Sequence, residues 1–131
     1  TPTLTLTIGS KYKSIINFIE KKKKLHKLKI DNLGQISQES LIKQYEKASA
    51  LIYPSYSESF GLPLLEASSS NLPIIASELD FVRDVCNPQQ TFNPNSHISI
   101  SKAVERFLNL KLHKLKIFSN GNFVNKILNK K

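Results

Sequence analysis

The sequence predicts an α/β chain, a Rossmann-like three-layer domain with a mostly parallel sheet. Three observations carry this reading. Residues 50–54 (Ala-Leu-Ile-Tyr-Pro) and 73–77 (Pro-Ile-Ile-Ala-Ser) are short, continuous apolar runs, the pattern of strands buried on both faces. Amphipathic segments of helical period lie around and between them. The two kinds of segment alternate along the chain, the order that builds parallel βαβ units.

The elements follow in order. Residues 3–8 alternate Thr with Leu or Ile and end at Gly9, which marks a strand with one polar face near a sheet edge. Residues 11–25 carry Tyr12, Ile15, Ile16 and Ile19 at helical spacing, and the other face runs into four lysines at 21–24, read as a solvated helix end that suits the dipole. Residues 28–33 form a second strand before Gly34. Ser37 caps a helix over 38–49 whose expected buried stripe is Leu41, Ile42, Tyr45 and Ala48. After the strand at 50–54, polar Ser57, Glu58 and Ser59 announce a helix, with Gly61 and Pro63 near its start. Asn71 closes it in a left-handed conformation, with Pro73 two residues on. Asp80 is the expected cap of a short helix over 81–86, and Phe92 belongs to a very short last strand. Ser96 or Ser99 caps a helix that turns Ile100, Ala103, Val104, Phe107 and Leu108 inward. Residues 110–131 read as one or two basic helices, broken at 119–122.

Composition bounds the function. A chain of 131 residues is expected to be a single domain, 1–131, long enough to bury a real core. It contains no methionine and reads as a piece of a longer protein, truncated on its N-terminal side. One cysteine, Cys86, excludes an internal disulfide and fits a reducing compartment. Neither a signal peptide nor an apolar run of spanning length is present, so the expected location is cytoplasmic, with membrane association on the cytoplasmic face. The net charge of +9 is nearly all lysine, arginine occurring only at Arg83 and Arg106. Lysine beside abundant Asn and Ile is a common by-product of genome base composition. As a functional feature it faces anions, either a nucleotide or anionic lipid headgroups. A nucleic-acid partner is not expected, because there is no recognition motif, arginine cluster or aromatic-studded basic strand. His26, His97 and His113 have no metal-ligand spacing, and neither Ser57 nor Ser59 has a histidine near it in sequence, so no metal site and no serine nucleophile are expected.

The chemistry is expected where the strand at 50–54 becomes the next helix, since ligands in open α/β sheets bind beyond the carboxyl ends of strands. That junction carries Glu58, then the backbone amides of Ser59, Phe60, Gly61 and Leu62, then Glu66 one turn into the helix. Amides at a helix N-terminus favour phosphate, and carboxylates accept hydrogen bonds from vicinal hydroxyls. Two acids around an amide nest suit a ligand with phosphates in its middle and hydroxyls at both ends, a nucleotide sugar.

The same stretch resembles the group 1 family of retaining GT-B glycosyltransferases. The resemblance rests on Glu58 and Glu66 with seven residues between them, Phe60-Gly61-Leu62-Pro63 among those seven, Ala67 after Glu66, and Pro73 beyond. It continues through Ile74-Ile75-Ala76-Ser77, through residues 81–86 and Phe92-Asn93-Pro94, and upstream through Leu33-Gly34 and residues 45–49, so it covers roughly residues 30–110. It implies the C-terminal, donor-binding half of a GT-B fold that uses no metal and no cofactor. It implies that Glu66 holds the ribose hydroxyls, that Glu58 is the catalytic residue and lies by the donor sugar's hydroxyls, and that Ser59, Phe60, Gly61 and Leu62 bind sugar and diphosphate. The partners implied are a UDP- or GDP-type nucleotide-diphosphate sugar and a separate N-terminal acceptor domain, with peripheral membrane contact. The isolated chain is expected to be inactive. Ser59 stands where the family commonly has Gly, Asp84 where it has Glu, and Asn93 where it has Asp. The Arg and Lys that clamp the diphosphate find no match in residues 1–29. The alternative reading is a non-catalytic interaction domain with a degraded nucleotide site and a basic face for a membrane or partner.

Overall fold

The structure, a computed structural model, describes residues 2–109. Its elements are β1 (Leu4–Leu6), α1 (Lys13–His26), β2 (Ile30–Asn32), α2 (Gln38–Lys47), β3 (Leu51–Tyr53), α3 (Leu62–Ser69), β4 (Ile74–Ser77), α4 (Asp80–Val85), β5 (Gln90–Phe92) and α5 (His97–Asn109). The alternation is the one expected, and every strand pairing is parallel. The strands divide between two sheets, β1-β2 and β3-β4-β5, rather than one. The helices expected at 110–131 lie outside the described residues.

Two compact units are present, Thr1–Ser49 and Ala50–Lys131. In the first, β1 and β2 pair with Leu4 opposite Ile30 and Leu6 opposite Asn32. Asn32 extends this pairing with its side chain. Its Oδ1 accepts from the Ile8 amide at 2.8 Å, and its Nδ2 donates to the Ile8 carbonyl at 3.1 Å. Helix α1 ends at Lys27, a non-glycine residue in left-handed conformation (φ 52°), and the Lys23 carbonyl accepts from the amides of Lys27 and Leu28. No residue of α1 is buried. Ser37 caps α2 as expected, accepting from the Ser40 amide at 3.2 Å. The expected α2 stripe is narrower than its periodicity suggested. Tyr45 is buried, Leu41 is half-buried, and Ile42 and Ala48 are exposed.

The second unit holds the core. Strand β4 lies between β3 and β5 and is buried along its whole length. Ile75, Phe92 and Ala103 form a buried cluster, with Ala50, Ile52, Ile100, Val104 and Phe107 packed against it. This cluster seats α5 on β4 and β5 through the 100/103/104/107 face. Leu108 falls 100° from Phe107 on the helix and is exposed instead of inward. Ser96, not Ser99, caps α5, accepting from the Ser99 amide, while the Ser99 hydroxyl accepts from the Asn93 amide. Successive residues of a strand face opposite sides, so Ile74 and Ala76 face away from that cluster. Helix α3 packs on β4 and on α4 and buries Leu64 and Ala67 completely.

Helix α3 starts later than expected. Ser57, Glu58 and Ser59 lie in the loop, and the N-cap is Gly61 at φ 60°, without a side-chain cap. A left-handed residue cannot continue a helix upstream, so the polar triplet is excluded from it. The C-terminal end behaves as expected. Asn71 is left-handed (φ 53°), and the amides of Leu72 and Asn71 donate to the carbonyls of Ala67 and Ser68, a Schellman closure with buried Leu72 as its apolar contact. Asp80 is the first residue of α4 and not its cap, which is Leu79. Cys86 is half-buried rather than fully buried, and burial pushes its thiol pKa up.

Glu78 pins the β4–α4 turn. Arg83 donates Nε to Glu78 Oε1 at 2.9 Å and a second guanidinium nitrogen to Oε2 at 2.7 Å. This pair, seconded by Thr91, lowers the Glu78 carboxyl from its ordinary 4.5 to about 2. A carboxyl depressed in the folded state stabilises fully above its unfolded value and stops doing so as pH falls through its folded value. The stability difference between the native chain and Glu78→Gln, measured by urea denaturation, is therefore expected to hold above about pH 4.5 and to vanish by about pH 2. Both partners are about half exposed, so the difference is small. Gly61→Ala is expected to cost about 1–2 kcal/mol of stability, because alanine is strained in the left-handed region. Asn at the same position should recover part of that loss in the same denaturation series.

Candidate functional site

Strands β3, β4 and β5 run parallel, so their carboxyl ends open on one edge, where the chain leaves at Pro54, Glu78 and Asn93. Three loops meet the solvent there. The longest, between β3 and α3, carries most of the residues expected at the site.

Glu58 is exposed but anchored. The Tyr53 hydroxyl, on the last residue of β3, donates to Glu58 Oε1. The Ser55 hydroxyl reaches the same oxygen at 3.4 Å and donates to the Ser57 carbonyl at 3.0 Å. One carboxylate oxygen is thus held against the strand end, and Oε2 remains available as an acceptor. Tyr53 and Ser55 were not singled out from sequence as site residues. The signal was present: a tyrosine closing a buried strand needs a partner for its hydroxyl, and Glu58 is the nearest acid downstream.

Gly61 converts loop to helix. Its carbonyl accepts from the amides of Leu64 and Leu65 at 2.9 and 3.2 Å, which forms the first turn of α3. A Cβ on Gly61 would sit 3.4 Å from Val85 and 3.5 Å from Leu64, so the turn packs directly on α4. Among the described residues no internal acceptor takes the amides of Ser59, Phe60, Gly61 or Leu62. These amides lie at the positive end of the α3 dipole, the arrangement that receives anions. Glu66 stands in the second turn of α3, half-buried, between the core positions Leu64 and Ala67. Phe60 and Leu62 are 75% and 58% exposed, so their side chains project out of the loop while their amides remain at the helix start.

The other two loops complete the edge. The Tyr56 hydroxyl donates to the Pro94 carbonyl at 3.1 Å and ties the β3–α3 loop to the β5–α5 turn. Asn93 Oδ1 accepts from the Asn95 amide at 2.9 Å and shapes that turn. At the β4–α4 turn Arg83 is engaged by Glu78 on both prongs of its guanidinium. Tyr56, Glu78 and Arg83 were not singled out from sequence as site residues: the Tyr56 contact joins two loops that sequence order does not connect, and the Glu78–Arg83 pair within one turn depends on the rotamers the two side chains adopt.

Charge is unevenly divided. Residues 50–109 hold three cations, Arg83, Lys102 and Arg106, against six acids. Arg106 is occupied by the Gln90 side chain and the Thr91 carbonyl. At this edge the backbone amides at the start of α3 are available to an anion, while Arg83 and Arg106 are already engaged. Among the described residues no three His, Cys, Asp or Glu side chains gather as ligands for a metal ion.

A family model described as "Glycosyl transferases group 1" matches residues 6–122. The "Serotype-specific mannosyltransferase WbdA" of Escherichia coli is 37% identical over 79 residues, which is 60% of this chain and 10% of that protein. The "O-antigen chain mannosyltransferase RfbU" of Salmonella typhimurium is 37% identical over 78 residues, 59% of this chain and 22% of the relative. The chain thus spans about a tenth of the length of the first of these relatives. Among solved structures, a sucrose-phosphate synthase from Thermosynechococcus elongatus superimposes with a TM-score of 0.68 at 28% identity, covering 81% of this chain and 29% of that one. With its parallel α/β fold, its amide-lined β3–α3 junction and a family match over most of its length, this chain belongs to the group 1 glycosyltransferases.

Proposed function

We propose that this chain is the donor-binding part of a retaining glycosyltransferase and binds a nucleotide-diphosphate sugar at the carboxyl edge of the β3-β4-β5 sheet. The observation that carries the reading is the β3–α3 junction. It combines a tethered carboxylate at Glu58, the amides of Ser59, Phe60, Gly61 and Leu62 at a helix start, and Glu66 on the helix itself.

Each group has a task in glycosyl transfer. The bond between the sugar's anomeric carbon and the diphosphate breaks, and the negative charge that develops on the departing diphosphate is met by the amides at the α3 terminus. The acceptor hydroxyl attacks on the face the diphosphate leaves, and its proton passes to the diphosphate oxygen, so no covalent enzyme intermediate is needed. Glu58 accepts hydrogen bonds from sugar hydroxyls through its free oxygen, which fixes the ring for attack. Glu66 accepts from the ribose hydroxyls of a UDP- or GDP-type nucleotide. The acceptor site belongs to a separate domain, and this chain alone is expected to transfer no sugar.

Three variants separate these roles, read by amide shifts and by titration with UDP, GDP and their sugar conjugates. Ligand at millimolar concentration is expected to shift the amides of residues 58–66, and an unperturbed junction would sink the proposal. Glu66→Ala is expected to weaken free and sugar-bearing nucleotides alike, by about tenfold or more, the size of a lost hydrogen bond to a charged group. Glu58→Gln is expected to weaken only the sugar-bearing ligand. Tyr53→Phe should reproduce part of the Glu58→Gln effect without weakening the free diphosphate, because it releases the carboxylate and leaves the amides in place.

A further inference from the structure

The lysines that give the chain its charge are not spread evenly. Residues 1–49 hold ten lysines against four acids, residues 50–109 are net acidic, and residues 110–131, outside the described residues, hold six lysines and no acid. Eight of those ten, Lys11, Lys13, Lys21, Lys22, Lys23, Lys24, Lys27 and Lys29, lie on α1 or immediately beside it, with Glu20 as the one acid in that stretch.

Helix α1 also keeps large apolar side chains in solvent. Ile15, Phe18 and Leu25 are 48%, 61% and 66% exposed. Together with Lys22 they occupy positions 15, 18, 22 and 25, a spacing of three and four that draws one stripe along the helix. Lys22 Nζ sits 5.6 Å from the centre of the Phe18 ring, and Lys11 Nζ lies 5.0 Å from that of Tyr12, so cations border the aromatic rings. A stripe of exposed Ile, Phe and Leu interleaved with lysine is the composition of a helix that lies in a lipid interface, apolar groups in the acyl boundary and ammonium groups among the headgroups. An apolar face meant for the chain's own core would not carry Lys22 along its midline.

We propose that α1 is a peripheral docking surface for anionic lipid, with Ile15, Phe18 and Leu25 entering the interface and Lys21 and Lys22, on and beside that stripe, facing the headgroups. The occupant is argued from charge complementarity: eight cations against one acid over this stretch select an anionic surface. The contact is peripheral, since no helix among the described residues is long and apolar enough to cross a membrane. It is independent of the donor site, which lies in the other compact unit.

The test is sedimentation of the chain with vesicles of phosphatidylcholine alone or mixed with phosphatidylglycerol. Binding is expected to the mixed vesicles only, and to fall as salt is raised. Replacing Lys21 and Lys22 together by Gln should lower the partition at least tenfold, from roughly fivefold per lysine at the surface. Phe18→Ser with Leu25→Ser keeps every charge and should also lower it severalfold. Both sites are exposed, and an unchanged circular dichroism spectrum would show that the fold is retained. Absence of binding to the mixed vesicles at low salt would overturn the proposal and leave the stripe to a polypeptide partner. Wild-type binding by the serine variant would also overturn it, because attraction would then come from diffuse charge rather than from this face.

Discussion

The left-handed backbone of Gly61 is the constraint on which the candidate site depends. At φ 60° it stops α3 from extending upstream, presents its carbonyl to the amides of Leu64 and Leu65, and packs without a side chain against Val85. Because the helix begins there, Ser57, Glu58 and Ser59 stay in a loop where Tyr53 and Ser55 can reach the Glu58 carboxylate. The same stop leaves a set of amides at the positive end of α3. A residue of ordinary backbone preference would remove both properties together, since a helix begun earlier would consume those amides in its own hydrogen bonds.

The electrostatics of this edge are those of dipoles more than of ions. Arg83 and Arg106 are already engaged, one by Glu78 and one by Gln90 and Thr91. An incoming diphosphate would meet backbone amides preorganised by a helix, which need no reorientation as charge develops. Ten of the seventeen lysines lie in the first unit, and Lys102 and six beyond residue 109 in the second.

Much of the local structure was legible in the sequence. Ser37, Ser96 and Asn71 act as caps where they were expected, because a cap satisfies backbone groups only three or four residues away. The position of Glu58, Gly61 and Glu66 just after a strand was also legible, since motif and strand signals adjoin, although that strand is half-buried rather than buried on both faces. The misreadings share one cause. The start of α3 was assigned from polar side chains, but the φ of Gly61 overrode them. Asp80 had the right chemistry for a cap, but the chain turned one residue earlier at Leu79. Ile42 and Leu108 have the right periodicity for burial, yet both are exposed.

Residue order by itself determined the alternation of strand and helix, the parallel pairing and the family, because each follows from hydrophobic period and from a motif contained within twenty residues. Only the tertiary structure decided that the strands divide into two sheets, that Tyr53 holds Glu58, that Tyr56 joins two loops, and that Glu78 occupies Arg83. Those contacts depend on where the sheet brings loop ends together and on which rotamer each side chain adopts there. Neither quantity is encoded in the spacing of residues along the chain.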